Sequence, residues 1–102
     1  MKTIAVVGGG ITGLCALYEM ERQAKAQNID AQFILIEKND YVGGKIHTVT
    51  TDEFAMEVGA DSIVARHPGV LAMVEELGMA QELVYNETGT SYIHTNGELH
   101  GI

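Results

Sequence analysis

An α/β fold that opens on a parallel βαβ unit is predicted by three features near the start of the chain. The apolar run Ile4-Ala5-Val6-Val7 leads straight into Gly8-Gly9-Gly10-Ile11-Thr12-Gly13, which has the spacing G-x-G-x-x-G. A helical pattern follows, from Leu14 to about Ala26. A second apolar run, Gln32-Phe33-Ile34-Leu35-Ile36, then ends in Glu37. Strand, glycine turn, helix, strand and acid is the order of a dinucleotide-binding unit.

Each residue type in that unit has a physical task. Gly8 permits the tight turn out of the strand. Gly10 lets a pyrophosphate come close to the backbone, and Gly13 lets the helix pack closely on the strand. The first helical N–H groups lack partners and sit at the positive end of the helix dipole. A pyrophosphate supplies both the acceptors and the negative charge. Glu37 can accept hydrogen bonds from a ribose diol, and its charge disfavours the 2′-phosphate of NADP. It lies 24 residues beyond Gly13, against a usual spacing of about 20.

The bulk properties narrow the remaining choices. A chain of 102 residues is one domain's worth of length. Its net charge of −8 argues against nucleic acid, which selects basic surfaces. A single cysteine rules out an internal disulfide and fits a reducing, cytoplasmic setting. No signal-peptide core precedes the first strand, and no apolar run reaches the roughly 18 residues a membrane span needs.

The elements follow in order. Residues 2–7, continuously apolar at their centre, read as a fully buried parallel strand. In the first helix Leu14, Leu17, Tyr18 and Met20 lean to one side, while Glu19, Arg22, Gln23 and Lys25 face water. Residues 28–30 make a polar stop, and residues 32–37 form the second strand. Gly43-Gly44 marks a turn or a close backbone approach. Residues 46–50 and 53–58 read as a hairpin about Thr51-Asp52. Pro68 opens a second helix, which carries Val70, Leu71, Val74 and Leu77 on one face and stops at Gly78. A short helical turn is expected over 79–84. Residues 90–95 and 99–102 flank Asn96-Gly97, a type I′ hairpin signal.

The wording of several motifs adds a resemblance. Gly8 to Gly13, Glu37, then Val42-Gly43-Gly44-Lys45-Ile46-His47-Thr48, Glu57-Val58-Gly59-Ala60-Asp61-Ser62 and Gly89-Thr90-Ser91-Tyr92 together resemble the FAD-dependent amine-oxidase-like superfamily. The pattern is most similar to the bacterial protoporphyrinogen/coproporphyrinogen oxidases and covers nearly the whole chain. The resemblance implies a Rossmann-like FAD-binding domain, incomplete here. It consists of the N-terminal βαβ unit with β-hairpins and a second helix, and the substrate domain is absent. It implies that Gly8, Gly9, Gly10, Ile11, Thr12 and Gly13 surround the FAD pyrophosphate and that Glu37 and Lys38 meet the adenosine ribose. It further implies that Gly43 and Gly44 approach the cofactor with Lys45 as a cation near the phosphates. Gly59, Ala60, Asp61 and Ser62 would pass near the flavin. The implied activity is oxidation of a porphyrinogen to the porphyrin in haem biosynthesis, with oxygen as acceptor. The parent enzyme would be cytoplasmic, with peripheral contact at the inner face of the cell membrane, and the fragment would self-associate. The sequence departs from the family's habit at Tyr41, where arginine is common, at Ala60, where proline is, and at Leu17, where a small residue is. Two alternatives stay open: an amine oxidase or carotenoid desaturase of the same superfamily, and a nucleotide-binding module without catalysis.

Several residues carry plainer readings. Cys15 reads as an inert helix thiol. His47, His67, His94 and His100 lack metal-ligand spacing. Glu57 and Asp61 read as a solvated strand residue and a turn cap, so no catalytic side chain is assigned. Met20, Met56, Met73 and Met79 read as core. Asn86-Glu87-Thr88 matches a glycosylation sequon that a cytoplasmic chain would not have used.

Overall fold

The structure, a computed structural model, describes residues 1–87 and 89–102; the third sequon position, Thr88, lies outside them. The chain forms two compact units, Met1–Ser62 and Ile63–Ile102.

In the first unit, strand β1 (Lys2–Val7) leads through the glycine turn into helix α1 (Ile11–Ala26), and strand β2 (Ala31–Ile36) follows. β1 and β2 pair in parallel, with Ile4 opposite Phe33 and Val6 opposite Leu35. This is the expected βαβ unit. α1 starts three residues earlier than its apolar pattern suggests, because Gly10 already serves as N-cap in an extended conformation. The helix ends on Asn28 in the left-handed region (φ 55°). The Ile29 N–H donates to the Ala24 carbonyl at 2.8 Å and the Asn28 N–H to that of Lys25 at 3.3 Å. This six-to-one, five-to-two closure is a Schellman stop in which Asn takes the usual place of Gly.

The sheet has a covered face and an open one. Ile4, Val6, Phe33 and Leu35 are half-buried on the side where α1 packs, and Ala24 of α1 is only 8% exposed. On the other side Val7 is 80%, Ile34 39% and Ile36 51% exposed. The expectation of a fully buried β1 is therefore corrected. A parallel strand reads as continuously apolar because helices cover both its faces in a complete sheet, and residues 1–62 cover only one. The expectation of a methionine core is corrected in part. Met20 and Met73 are half-buried, but Met56 and Met79 are exposed, since no described residues close over them.

A hairpin completes this unit. Strands β3 (Thr48–Thr50) and β4 (Ala55–Glu57) are antiparallel, with Val49 opposite Met56. The Thr51 N–H donates to the Phe54 carbonyl at 2.7 Å, which closes the turn. Glu57 is a solvated strand residue, as read, and its carboxylate accepts the Thr48 hydroxyl at 2.7 Å.

The second unit is built locally. Helix α2 (Pro68–Glu76) begins with Pro68 in its first turn. It ends on Gly78 (φ 75°), where the Met79 N–H reaches the Val74 carbonyl at 3.0 Å. A short 3₁₀ turn spans Ala80–Glu82. Strands β5 (Tyr92–Thr95) and β6 (Glu98–Gly101) form the expected hairpin, with Thr95 opposite Glu98. Asn96 and Gly97 take φ of 52° and 78°, both positive as a type I′ turn requires. Among the described residues no helix is long and apolar enough to cross a membrane.

Candidate functional site

The site grows from the end of β1. The Gly8 N–H still donates to the Ile36 carbonyl at 2.8 Å, so the ladder runs to the last residue before the turn. The chain then reverses at Gly8 with φ 104°, a conformation nearly closed to residues with a side chain. Gly9 is buried. Gly13 faces back on the turn, and a Cβ there would collide with the Gly8 carbonyl oxygen. The close helix–strand contact predicted for Gly13 is thus present.

The N-terminus of α1 is left open. The first intrahelical bond runs from the Leu14 N–H to the Gly10 carbonyl at 3.0 Å. The N–H groups of Ile11, Thr12 and Gly13 therefore precede any helical acceptor. Gly10 supplies no side-chain cap, and no acidic residue stands in the first turn. A Cβ placed on Gly10 would meet nothing within 4 Å. An anion entering that space would find donors without a helical acceptor, the positive end of the dipole and no competing carboxylate in the first turn.

Glu37 closes the other side of the turn. Its Oε1 accepts the Gly9 N–H at 2.8 Å and its Oε2 accepts the Asn39 N–H at 2.7 Å. Donation from Asn39 and then from Gly9 holds this carboxyl below the usual carboxylate range, with the Lys38 charge adding to it. Each carboxylate oxygen keeps a further acceptor direction. The carboxylate can therefore still accept from a ribose diol, while its backbone bonds are not foreseen from the sequence. The signal was present in Glu37-Lys38-Asn39, where a strand-end acid can reach the N–H two residues on.

The second glycine pair joins this turn. The Gly43 N–H donates to the Gly9 carbonyl at 2.7 Å, and Gly10 and Gly43 form a parallel bridge. A Cβ on Gly44 would lie 3.2 Å from the Gly10 Cα. The 43–46 turn closes through the Ile46 N–H and the Gly43 carbonyl at 3.0 Å. The Tyr41 and His47 rings flank it, tilted by 31° with 4.8 Å between centroids. This ring contact bracketing the glycine pair is a second feature the sequence reading missed.

The remaining predicted residues follow along the chain. Lys38 and Lys45 are exposed. The Lys45 carbonyl accepts the Ala60 N–H at 3.1 Å, and the His47 carbonyl accepts the Val58 N–H at 2.9 Å. A Cβ on Gly59 would collide with the Lys45 carbonyl oxygen. Gly59, Ala60, Asp61 and Ser62 thus leave from beside the second glycine turn, all four exposed. Cys15 lies half-buried in α1. Among the described residues no group of three His, Cys, Asp or Glu side chains is arranged to hold a metal.

A parallel βαβ unit with an open, glycine-lined helix N-terminus and an acid at the end of its second strand defines a dinucleotide-binding domain of Rossmann type. The family described as NAD(P)-binding Rossmann-like domain matches residues 6–77, and the chain belongs to it. Named relatives are more specific. The chain is 41% identical over 99 residues to coproporphyrinogen III oxidase of Bacillus subtilis (strain 168), a match covering 97% of this chain and 21% of the relative. It is 35% identical over 95 residues to protoporphyrinogen oxidase 1, chloroplastic, of Spinacia oleracea, covering 92% of this chain and 16% of that protein. A solved structure from Exiguobacterium sp. 255-15, assigned as a protoporphyrinogen oxidase, superposes with a TM-score of 0.82 at 39% identity, covering 98% of this chain and 21% of that one. The chain therefore spans about a fifth of the length of the bacterial relatives it matches.

Proposed function

We propose that residues 1–102 are the N-terminal, FAD-binding start of an enzyme that oxidises a porphyrinogen, coproporphyrinogen III or protoporphyrinogen IX, to the porphyrin. The observation that carries the reading is the joined pair of glycine turns. The α1 N-terminus is open, its neighbouring backbone is held by Glu37 and Gly43, and it sits in a chain 41% identical to a coproporphyrinogen III oxidase over 97% of its length. The donors at Ile11, Thr12 and Gly13 hold the pyrophosphate, with Gly8, Gly9 and Gly10 giving the room. Glu37 takes the adenosine ribose, with Lys38 beside it. Lys45, next to Gly43 and Gly44, offsets phosphate charge. Gly59, Ala60, Asp61 and Ser62 run toward the flavin. Bound FAD supplies the acceptor for hydride from the macrocycle, with oxygen as the final acceptor. No side-chain acid or base is assigned, since the redox chemistry belongs to the cofactor.

Glu37 argues against NADP, whose 2′-phosphate its carboxylate would repel, and the choice of FAD rests on the resemblance to the porphyrinogen oxidases. The substrate domain lies beyond these residues, and the parent enzyme works in the cytoplasm with peripheral contact at the inner face of the membrane. Without that remainder, the apolar face formed by Val7, Ile34 and Ile36 drives self-association of the fragment. Size-exclusion chromatography with light scattering would then show more than a monomer. The deciding experiment uses the full-length gene product. Its flavin is released by heat and identified, and porphyrin fluorescence is followed with each porphyrinogen in turn. A protein that retains FAD but forms no porphyrin belongs with the amine oxidases or desaturases. One that binds no flavin overturns the proposal.

A further inference from the structure

We propose that Glu37 is a positioning residue for the phosphate turn, locking the Gly9 peptide in place before any nucleotide arrives, in addition to the ribose contact assigned above. The inference rests on the dinucleotide reading for its purpose, but the lock itself stands on geometry.

The Gly9 peptide is held on both sides. Its N–H donates to Glu37 Oε1 at 2.8 Å, and its carbonyl accepts the Gly43 N–H at 2.7 Å. Glu37 is itself fixed, because Oε2 accepts the Asn39 N–H at 2.7 Å. The two carboxylate oxygens therefore bridge two backbone amides from segments 30 residues apart in sequence, Gly9 and Asn39. Contact is close enough that a Cβ on Gly9 would stand 3.2 Å from both Glu37 Cγ and Oε1. A side chain at Gly9 would therefore make the Glu37 arm shift by a few tenths of an ångström from its present bonds.

Why a carboxylate is needed follows from its acceptors. Both partners are donors, so both Glu37 positions must accept. Glutamine satisfies one and turns its NH₂ against the other. The bonds to an ionised acceptor are also the stronger kind. With the carboxylate in place, the Gly9 N–H is engaged and cannot swing toward the helix N-terminus. The Ile11, Thr12 and Gly13 donors then stay in one arrangement, and the Gly43–Gly44 turn stays docked on Gly9. Preorganised donors bind an anion more tightly because less order is lost on binding.

A role through the ribose alone and a role through the turn separate with two probes, ADP and 2′,3′-dideoxy-ADP, the second lacking the diol. The protein is the full chain, titrated by calorimetry as wild type, Glu37→Gln and Gly9→Ala. The expected result is that Glu37→Gln weakens ADP and also weakens 2′,3′-dideoxy-ADP by about tenfold, the loss of one charge-assisted hydrogen bond. Gly9→Ala, which presses a methyl on the carboxylate, weakens the dideoxy nucleotide in the same way. Without nucleotide, the Gly9 and Asn39 amide resonances should titrate together with Glu37 below the ordinary carboxylate range. They should stop doing so in Glu37→Gln. A Gly9 amide that ignores the Glu37 titration overturns the lock. A titrating amide with unchanged dideoxy-ADP affinity in both variants overturns the positioning role. If the wild type binds neither nucleotide, the dinucleotide reading fails and the positioning role with it, while the amide titration still reports whether the lock exists.

Discussion

The turn at residues 8–13 and the turn at residues 96–97 both follow a strand and both depend on glycine, yet they are built on opposite plans. At Asn96-Gly97 the chain closes on itself. Two positive φ values suffice, Thr95 meets Glu98 directly, and a Cβ on Gly97 would meet nothing within 4 Å. At Gly8 to Gly13 the chain is held from a distance, by Glu37 and by Gly43. Its backbone packs so closely at Gly13 that a side chain has no room, while its helix N-terminus stays open. One turn spends its amides on itself and is a connector. The other is fixed by remote partners and leaves its first helical amides without an acceptor from the helix, which is what a ligand site requires. The same contrast separates the two units. Residues 1–62 are tied by bonds such as Gly43 to Gly9, and residues 63–102 by near neighbours such as Met79 to Val74.

The largest expected effect tests the packed side of that contrast. Gly13→Ala drives a methyl into the Gly8 carbonyl oxygen, and backbone cannot step aside as a flexible side chain can. A loss of about 3 kcal/mol or more is expected, at the upper end for overpacking. Thermal denaturation should show a large fall in Tm, and any cofactor should be lost with the fold. An unchanged Tm would mean that helix and strand sit farther apart than described.

Gly10→Val separates binding from folding. Its Cβ enters open space and its backbone is extended at φ −80°, so the fold should hold. Pyrophosphate would meet the two methyls instead of the backbone. Losing one charge-assisted bond there costs roughly 1.5–3 kcal/mol, about one to two decades in affinity. The flavin-to-protein absorbance ratio after desalting measures it. Equal retention in wild type and variant would make residues 8–13 a connector like 96–97.

Gly97→Ala is the converse. Left-handed backbone costs a residue with a Cβ about 1–2 kcal/mol, so the β5–β6 hairpin should weaken. Amide exchange within Tyr92–Gly101 should speed up while cofactor affinity stays the same. A drop in affinity would show that the hairpin serves the site.

These two turns also show which parts of the molecule could be read in advance. Asn96-Gly97 carries its whole conformation in its own residues, so the hairpin was legible, though its second strand begins one residue earlier, at Glu98. Pro68 and Gly78 bound α2 for the same reason. The βαβ order was legible because its signals are spaced along the chain. What stayed hidden depends on residues far apart in sequence. The Gly9–Glu37 bond and the contact of the Tyr41 and His47 rings arise only once β2 and the second glycine turn are in place. The burial of β1 was misread because an apolar run records what covers a strand in a complete sheet. It does not say how much of that cover lies within these residues.

The smallest effect contrasts two carboxylates whose pKa values both lie low for different reasons. Glu37 is lowered chiefly by the amides of Asn39 and Gly9, which the fold brings to it. Glu19 is lowered to about 2, first by its bond with Arg22 and then by Gln23. Arg22 Nε and Nη2 reach its two oxygens at 2.9 and 2.6 Å, and Gln23 donates at 2.9 Å, all within one turn of α1. A depressed carboxylate stabilises the fold above its unfolded pKa, near 4.5, and that contribution disappears as pH falls toward about 2. For Glu19 the contribution is small, because the pair is exposed to water and salt. Glu19→Gln should therefore leave Tm at pH 7 nearly unchanged, remove only a slight part of the slope between pH 4.5 and 2, and leave nucleotide affinity alone. Added salt should shrink even that difference. Glu37→Gln should change acid stability and nucleotide affinity together, since its partners are the turn itself. If acid melts of the two variants coincide and neither alters binding, then both carboxylates are surface decoration and the remote hold on the glycine turn is absent.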